Sequence, residues 1–225
     1  MAPPDRDRHG KRLEDYPRPS VAVDTAVLTV HEGGLHVLLT LTNAAARDGG
    51  DEWRLPGTFL YPGERLADAV LRSLREKAGV TGLAPRQLRV FDEPGRDDRG
   101  WVLSVAHLDA VPAQRIRLTE RTKLVPVDAV PPLQYDHTEI VAAAVEALRA
   151  EYREHPDPAG LLGTGEVTVR DLRLLHEQVL GVRLVADTFR RTMLPGLRPT
   201  GRQRRGVRGK PAELYRRRST VPATR

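Results

Sequence analysis

Residues 53–80 read WRLPGTFLYPGERLADAVLRSLREKAGV, and the order of residue types spells out strand, tight turn, amphipathic helix and stop. Trp53, Arg54 and Leu55 lead into Phe59, Leu60 and Tyr61, and the Pro62-Gly63 dipeptide closes that extended run with a turn. Over 64–78, Leu66, Val70, Leu71 and Leu74 recur at helical spacing, and Gly79 stands where a helix stop belongs. The pattern predicts a helix with its apolar side against a sheet.

The flanks supply that sheet. Residues 20–30 (SVAVDTAVLTV) and 35–42 (LHVLLTLT) are apolar and β-branched, joined by His31-Glu32-Gly33-Gly34, which is a hairpin signal. Residues 43–51 (NAAARDGGD) read as a loop. Two more strands are predicted near 88–91 and 102–108, separated by a turn over 92–100, with another candidate near 123–126. After Pro131-Pro132 a helix is predicted over 138–154, with Val141, Val145, Leu148 and Tyr152 on one stripe, ended by His155-Pro156-Asp157-Pro158.

A second architecture follows the linker 159–166. Thr168 and Asp171 have capping-box spacing for a helix containing Leu172, Leu175 and Val179 and stopped at Gly181. A second helix is predicted over 185–194, stopped by Pro195-Gly196, then two short strands around the loop 200–210, the later one near 212–216. Helix, short turn, helix and a β-ribbon is the order of a winged helix-turn-helix. The chain thus divides into a disordered leader (1–18), a mixed α/β domain with its linker helix (19–155), a winged helix (156–218) and a disordered tail (219–225).

Charge agrees with this division. Residues 196–225 hold nine Arg and Lys210 against one acid, Glu213, in a chain of 225 residues whose net charge is only +6. The rest is therefore net acidic, and a basic patch confined to one segment is an electrostatic footprint for nucleic acid. Arg outnumbers Lys 32 to 4 along the whole chain, so the abundance of Arg alone decides nothing. Cysteine is absent, which excludes disulfides and thiolate metal sites and suits a reducing cytoplasm. No apolar run approaches the roughly 18–20 residues that a membrane span needs, so no membrane partner is expected.

The stretch 53–80 resembles the Nudix box, G-x5-E-x7-R-E-U-x-E-E-x-G-U with U a bulky aliphatic. Glu64, Arg72, Leu74, Glu76, Gly79 and Val80 stand in register. The resemblance spans roughly residues 20–135 and implies an α/β/α sandwich whose ligands carry a nucleoside diphosphate joined to another group. Family members place carboxylates at the positions of Ser73, Glu76 and Lys77, which share one helical face by their i, i+3, i+4 spacing. Mg²⁺ wants hard oxygen ligands, and here one carboxylate survives beside a hydroxyl and a cation. Asp68 offers no replacement, lying about 140° from Ser73 around the helix, and Thr58 stands where the box opens with Gly. No metal, cofactor or catalytic residue is therefore expected, and the domain reads as a non-catalytic binder.

Candidate effector contacts are Arg54, Phe59, Glu64, Arg72, Arg96 and Arg99. Residues 92–101 (DEPGRDDRGW) resemble the R-D-x-R-G stretch of the ADP-ribose-handling branch. Arg96 and Arg99 there suit bidentate pairing with phosphate oxygens, the plain alternative being a solvated hairpin loop. Phe59 and Trp101 are read as stacking on a base or lining the core, with the core favoured for Phe59. Tyr135-Asp136-His137 reads as a helix-capping arrangement rather than a base or metal site.

On the helix over 185–194, Val185, Phe189 and Met193 form the buried stripe. Measured from Phe189, Arg191 points about 160° away, and Thr188 and Arg190 flank at about 100°. These three are the candidate major-groove contacts. In the wing, Arg202, Arg204, Arg205, Arg208 and Lys210 sit among Gly201, Gly206 and Gly209 and suit phosphates or a narrow minor groove.

Taken in order, residues 133–141, 172–194 and 198–216 are similar to the NrtR-type transcriptional regulators, in which a degenerate Nudix domain precedes a winged helix. That resemblance implies a homodimeric repressor on double-stranded operator DNA. It also implies control of NAD-metabolism genes and a response to ADP-ribose or a related nucleotide. The rival reading is an active Nudix hydrolase with a nucleic-acid-docking tail.

Overall fold

The computed structural model describes residues 6–42, 52–205 and 211–218. Its centre is a mixed seven-stranded sheet. The long strand β1 (Ser20–His31) pairs antiparallel with β2 (Gly34–Leu41) along its second half. Its first half pairs antiparallel with β4 (Gly57–Phe59). β6 (Val102–Ala110) runs parallel to β1 from Ser20↔Val102 to Leu28↔Ala110. β3 (Trp53–Arg54) and β7 (Thr122–Pro126) extend the sheet from β2, and β5 (Arg86–Phe91) forms an edge on β6.

Side chains alternate across this sheet and both faces are covered. Val23 and Val27 of β1, Leu38 of β2 and Val105 of β6 enter one apolar cluster, under the helix α1 (Leu66–Ser73). Ala26, Leu28, Val37, Leu39, Ala106 and Leu108 enter the other, under α2 (His137–Glu154). Period-two alternation with two apolar faces is what a sheet sandwiched between helices requires. The expected α/β/α layering follows.

The winged helix comprises α3 (Val169–Leu180), α4 (Ala186–Met193) and the antiparallel ribbon β8 (Leu197–Arg204) and β9 (Ala212–Arg217). Thr168 and Asp171 form the predicted capping box, and Gly181 (φ 72°) closes α3 in the left-handed conformation. A bridge between Val167 and Tyr215 ties the linker to β9. Leu172, Phe189, Met193, Leu197 and Tyr215 make a small core of their own. The other side of α3 presents Leu175 and Val179 to the apolar cluster of α2 and the sheet, so one interior runs through both units.

Several expectations need correction. The helix predicted over 64–78 is α1 followed by a π-turn, Leu74–Ala78, before Gly79 (φ 65°) ends it. Leu71, one of the four apolar residues at helical spacing, is 42% exposed. Val185, placed on the buried stripe of α4, is 72% exposed, because it is the extended N-cap rather than part of the first turn. β8 continues to Arg204, into the stretch read as loop. Residues 6–18 of the expected leader are exposed and hold a bridge between Arg6 and Arg12 and a short turn at Leu13–Asp15. The loop 43–51, the tail 219–225, and Arg208 and Lys210 lie outside the described residues.

Candidate effector cleft and nucleic-acid interface

β1, β4, the π-turn, the loop after β5 and the start of α2 enclose a cleft of about 180 Å³. Its tightest point is Gly57. A Cβ added there would lie 1.8 Å from Asp24 Oδ1, so only glycine lets β4 approach β1 this closely.

Asp24 is buried at the cleft floor, where it accepts a 2.6 Å hydrogen bond from the Ser104 hydroxyl. His137 Nδ1 accepts the Leu55 amide at 3.2 Å, which leaves Nε2, 3.3 Å from Asp24, to donate. Arg96 stands 4.0 Å away on the other side. Burial pushes the Asp24 carboxyl up, but His137, Ser104 and Arg96 together outweigh it and hold the group below its usual range. It stays an anion, and it is fully engaged.

The expected arginines are brought to the same cleft. The Arg96 guanidinium forks onto Asp136, with Nε donating at 2.6 Å. Arg99 forks onto Asp97 at 2.8 and 2.6 Å, and lies 5.2 Å from the ring centre of Phe59 and 5.1 Å from that of Tyr135. Phe59 is therefore not core: it is 36% exposed on the cleft wall, held beneath a guanidinium. Arg54 also lines the cleft and donates to the Thr42 hydroxyl.

Glu64 and Arg72 do not line the cleft. They form a bidentate pair, 2.8 Å at each bond, and Arg72 also donates to Thr58 Oγ1 at 3.1 Å and the Phe59 carbonyl at 3.0 Å. The hydrogen bonds from Arg72 hold the Glu64 carboxyl down at about 2. This pair fastens the turn 59–64 to α1 and so fixes where Phe59 stands.

The three metal-box positions separate. The Ser73 hydroxyl is buried without a partner among the described residues. Glu76 stands in solvent beside Arg75, 3.5 Å away. The Lys77 ammonium reaches into the cleft and donates to the Gly57 carbonyl. The π-turn removes the common face that i, i+3, i+4 spacing implies in a regular α-helix. Among the described residues no three His, Cys, Asp or Glu side chains gather as a metal site. A divalent cation that needs hard anionic oxygens does not fit this donor set.

The reading of Tyr135-Asp136-His137 as a cap is overturned. Asp136 precedes α2 with a non-extended backbone (φ −97°, ψ 22°) and makes no side-chain cap, because its carboxylate is taken by Arg96. His137 is buried against Asp24.

From there α2 runs to the reader. Arg149 donates to the Val179 carbonyl of α3 at 3.0 Å. Near its end, Tyr152 donates to Asp157 at 2.7 Å and lies 4.9 Å, ring to ring, from His176 of α3. Asp157 also accepts two backbone amides, from Leu161 and Leu162, and pairs with Arg217 of β9.

On the outer surface of α4, Thr188, Arg190 and Arg191 are exposed as expected. In the wing, Arg205 is exposed, Arg204 pairs with Asp171 at 2.6 Å and Arg202 with Glu166 at 3.4 Å. These pairs tie β8 to the start of α3 and to the linker before it.

Sequence reasoning missed Asp24, Asp97 and the Tyr152–His176–Asp157 group, and met Lys77 only as a misfit in the metal box. Asp24 had a signal, being the one charge in an apolar strand. His176 had none, since only the fold brings α2 and α3 together.

The NUDIX domain family matches residues 19–150, and the NrtR DNA-binding winged helix domain matches residues 161–217. The chain belongs to the Nudix family and carries an NrtR-type winged helix behind its Nudix domain. It is 28% identical over 211 residues to the ADPR responsive transcriptional repressor NtrR of Acinetobacter baylyi, covering 90% of this chain and 83% of that one. Shewanella oneidensis NrtR, solved with a 27mer DNA, is 29% identical with a TM-score of 0.72, over 88% of this chain and 93% of that chain. The Nudix domain of the same Shewanella protein, solved with ADP ribose, is 28% identical with a TM-score of 0.52. That match covers 62% of this chain and 95% of the other.

Proposed function

We propose that this protein is a cytoplasmic, homodimeric transcriptional repressor of NAD-metabolism genes, and that its Nudix cleft is a non-catalytic sensor of ADP-ribose or a related nucleotide. The observation that carries this reading is the path of α2, whose first residue sits on the cleft floor and whose last turns contact the reader. A ligand switches DNA binding only if it binds two arrangements of the reader with different affinity. α2 spans both sites, so a ligand that moves Asp136 or His137 acts on the helix that carries Tyr152.

In this reading Arg54, Arg96 and Arg99 face the phosphates and Phe59 and Tyr135 the flat parts of the ligand, while Glu64 and Arg72 hold Phe59 in place. Arg190, Arg191 and Thr188 enter the major groove, and the wing arginines, Arg208 and Lys210 included, meet phosphates. Two-fold symmetry would set the reading helices about one duplex turn apart. The test is a gel shift on the DNA upstream of the protein's own gene, with and without ADP-ribose. Release of a sequence-specific complex by ADP-ribose supports the reading, and an indifferent complex refutes it. Release of AMP from ADP-ribose with Mg²⁺ or Mn²⁺ would instead favour the hydrolase.

A further inference from the structure

We propose that the Lys77 ammonium occupies the role a divalent cation would have in this cleft, pairing directly with the diphosphate of the effector so that binding needs no metal. The inference rests on the sensing role proposed above and adds the residue and the electrostatic device that make it work.

Two phosphates brought into a confined site need positive charge close by, because desolvated anions are costly unless paired. Two of the cleft's three arginines are committed to carboxylates. Arg96 forks onto Asp136 and Arg99 onto Asp97. Lys77 differs from both: no carboxylate among the described residues forms an ion pair with it, and its hydrogen bond goes to a neutral carbonyl, that of Gly57. Nor is it needed to balance Asp24, which already has Ser104, His137 and Arg96.

Local backbone geometry aims the ammonium. The π-turn Leu74–Ala78 swings Lys77 toward β4 while Glu76 turns to solvent. Gly57, the one residue type that fits beside Asp24, holds the accepting carbonyl where the ammonium can leave it for a better acceptor. Burial of Lys77 and the nearby Arg54 charge both weaken its hold on its proton, and an arriving dianion reverses that tendency. A compact point charge on a flexible stem is suited to this exchange.

The experiment titrates the full-length protein calorimetrically with ADP-ribose and with inorganic pyrophosphate, each in EDTA and in Mg²⁺. Wild type is expected to bind ADP-ribose equally in both buffers. Lys77→Gln is expected to lose about tenfold or more in affinity for both probes, and Lys77→Arg to keep most of it. Metal-free retention of DNA binding shows that each variant is folded. Wild-type binding abolished by EDTA, or Lys77→Gln binding like wild type, overturns the proposal. If ADP-ribose fails to bind while pyrophosphate binds in a Lys77-dependent, EDTA-insensitive way, the nucleotide reading falls and the anion site stands. If neither probe binds, both fall.

Discussion

The imidazole of His176, on α3, meets the ring of Phe189, on α4, edge-on with ring centres 4.9 Å apart. Its other aromatic neighbour is Tyr152, the last buried side chain of the helix that begins under the cleft, and its Nε2 accepts the Asp157 amide at 3.2 Å. One histidine thus stands between the sensor's linker helix and the helix that carries Thr188, Arg190 and Arg191. Replacing His176 with Ala is expected to leave ADP-ribose binding within a few fold of wild type while blunting the ligand's effect on DNA binding. Calorimetry and gel shift on the same preparation read the two quantities separately.

His176 also gives the fold a pH dependence. Burial lowers its pKa to about 4, well below its ordinary 6.5, so the folded protein keeps the ring neutral. The unfolded chain binds a proton there first as pH falls. Stability present at neutral pH is therefore lost between about pH 6.5 and 4, by on the order of 3 kcal/mol from this one group. The adjoining Tyr152 hydroxyl is pushed far above that window by burial and by Asp157, so it takes no part. Urea melts of wild type and His176→Gln at pH 7.5 and 5 are expected to converge at the lower pH, and parallel curves would contradict this.

Tyr152→Phe removes the phenolic donor from an Asp157 carboxylate that has no solvent exposure. The expected cost is about 1–3 kcal/mol, visible as a lower thermal midpoint.

Replacing Arg204 and Arg205 with Ala is expected to weaken binding to every DNA sequence. The slope of log affinity against log salt should flatten by about 0.9 for each phosphate that is no longer neutralised. An unchanged slope would remove the wing from the interface. Because Arg204 is paired with Asp171, Asp171→Asn is expected to free it and steepen the slope.

Arg191→Ala is expected to change which sequences are preferred, as read by selection from random duplexes, with a milder effect on salt dependence. A uniform weakening across sequences would reassign Arg191 to the phosphates.

The architecture was open to reading because periodicity and turn chemistry are local. The hairpin at His31–Gly34, the stop at Gly79 and the capping box at Thr168 and Asp171 each sit in one stretch of chain. The cleft was less accessible. Arg96 and Arg99 were found through a motif, but their partners Asp136 and Asp97 set what they can do, and Asp136 lies 40 residues from Arg96. Lys77 was noticed as a misfit, yet its direction depends on a π-turn that regular helical spacing does not contain. Val185 went astray for a related reason: a helix wheel drawn one residue too early puts a cap on the buried side. The Tyr152–His176–Phe189 stack depends on three elements meeting, and no short stretch of chain records that.

Leu175 and Val179 lie in the same apolar cluster as Leu28 and Leu148. A reader excised at the linker would carry an oily flank into water, and a sensor trimmed there would have its floor laid bare. Evolution can therefore exchange wing loops or cleft side chains freely, while wholesale swapping of either half must first mend that seam.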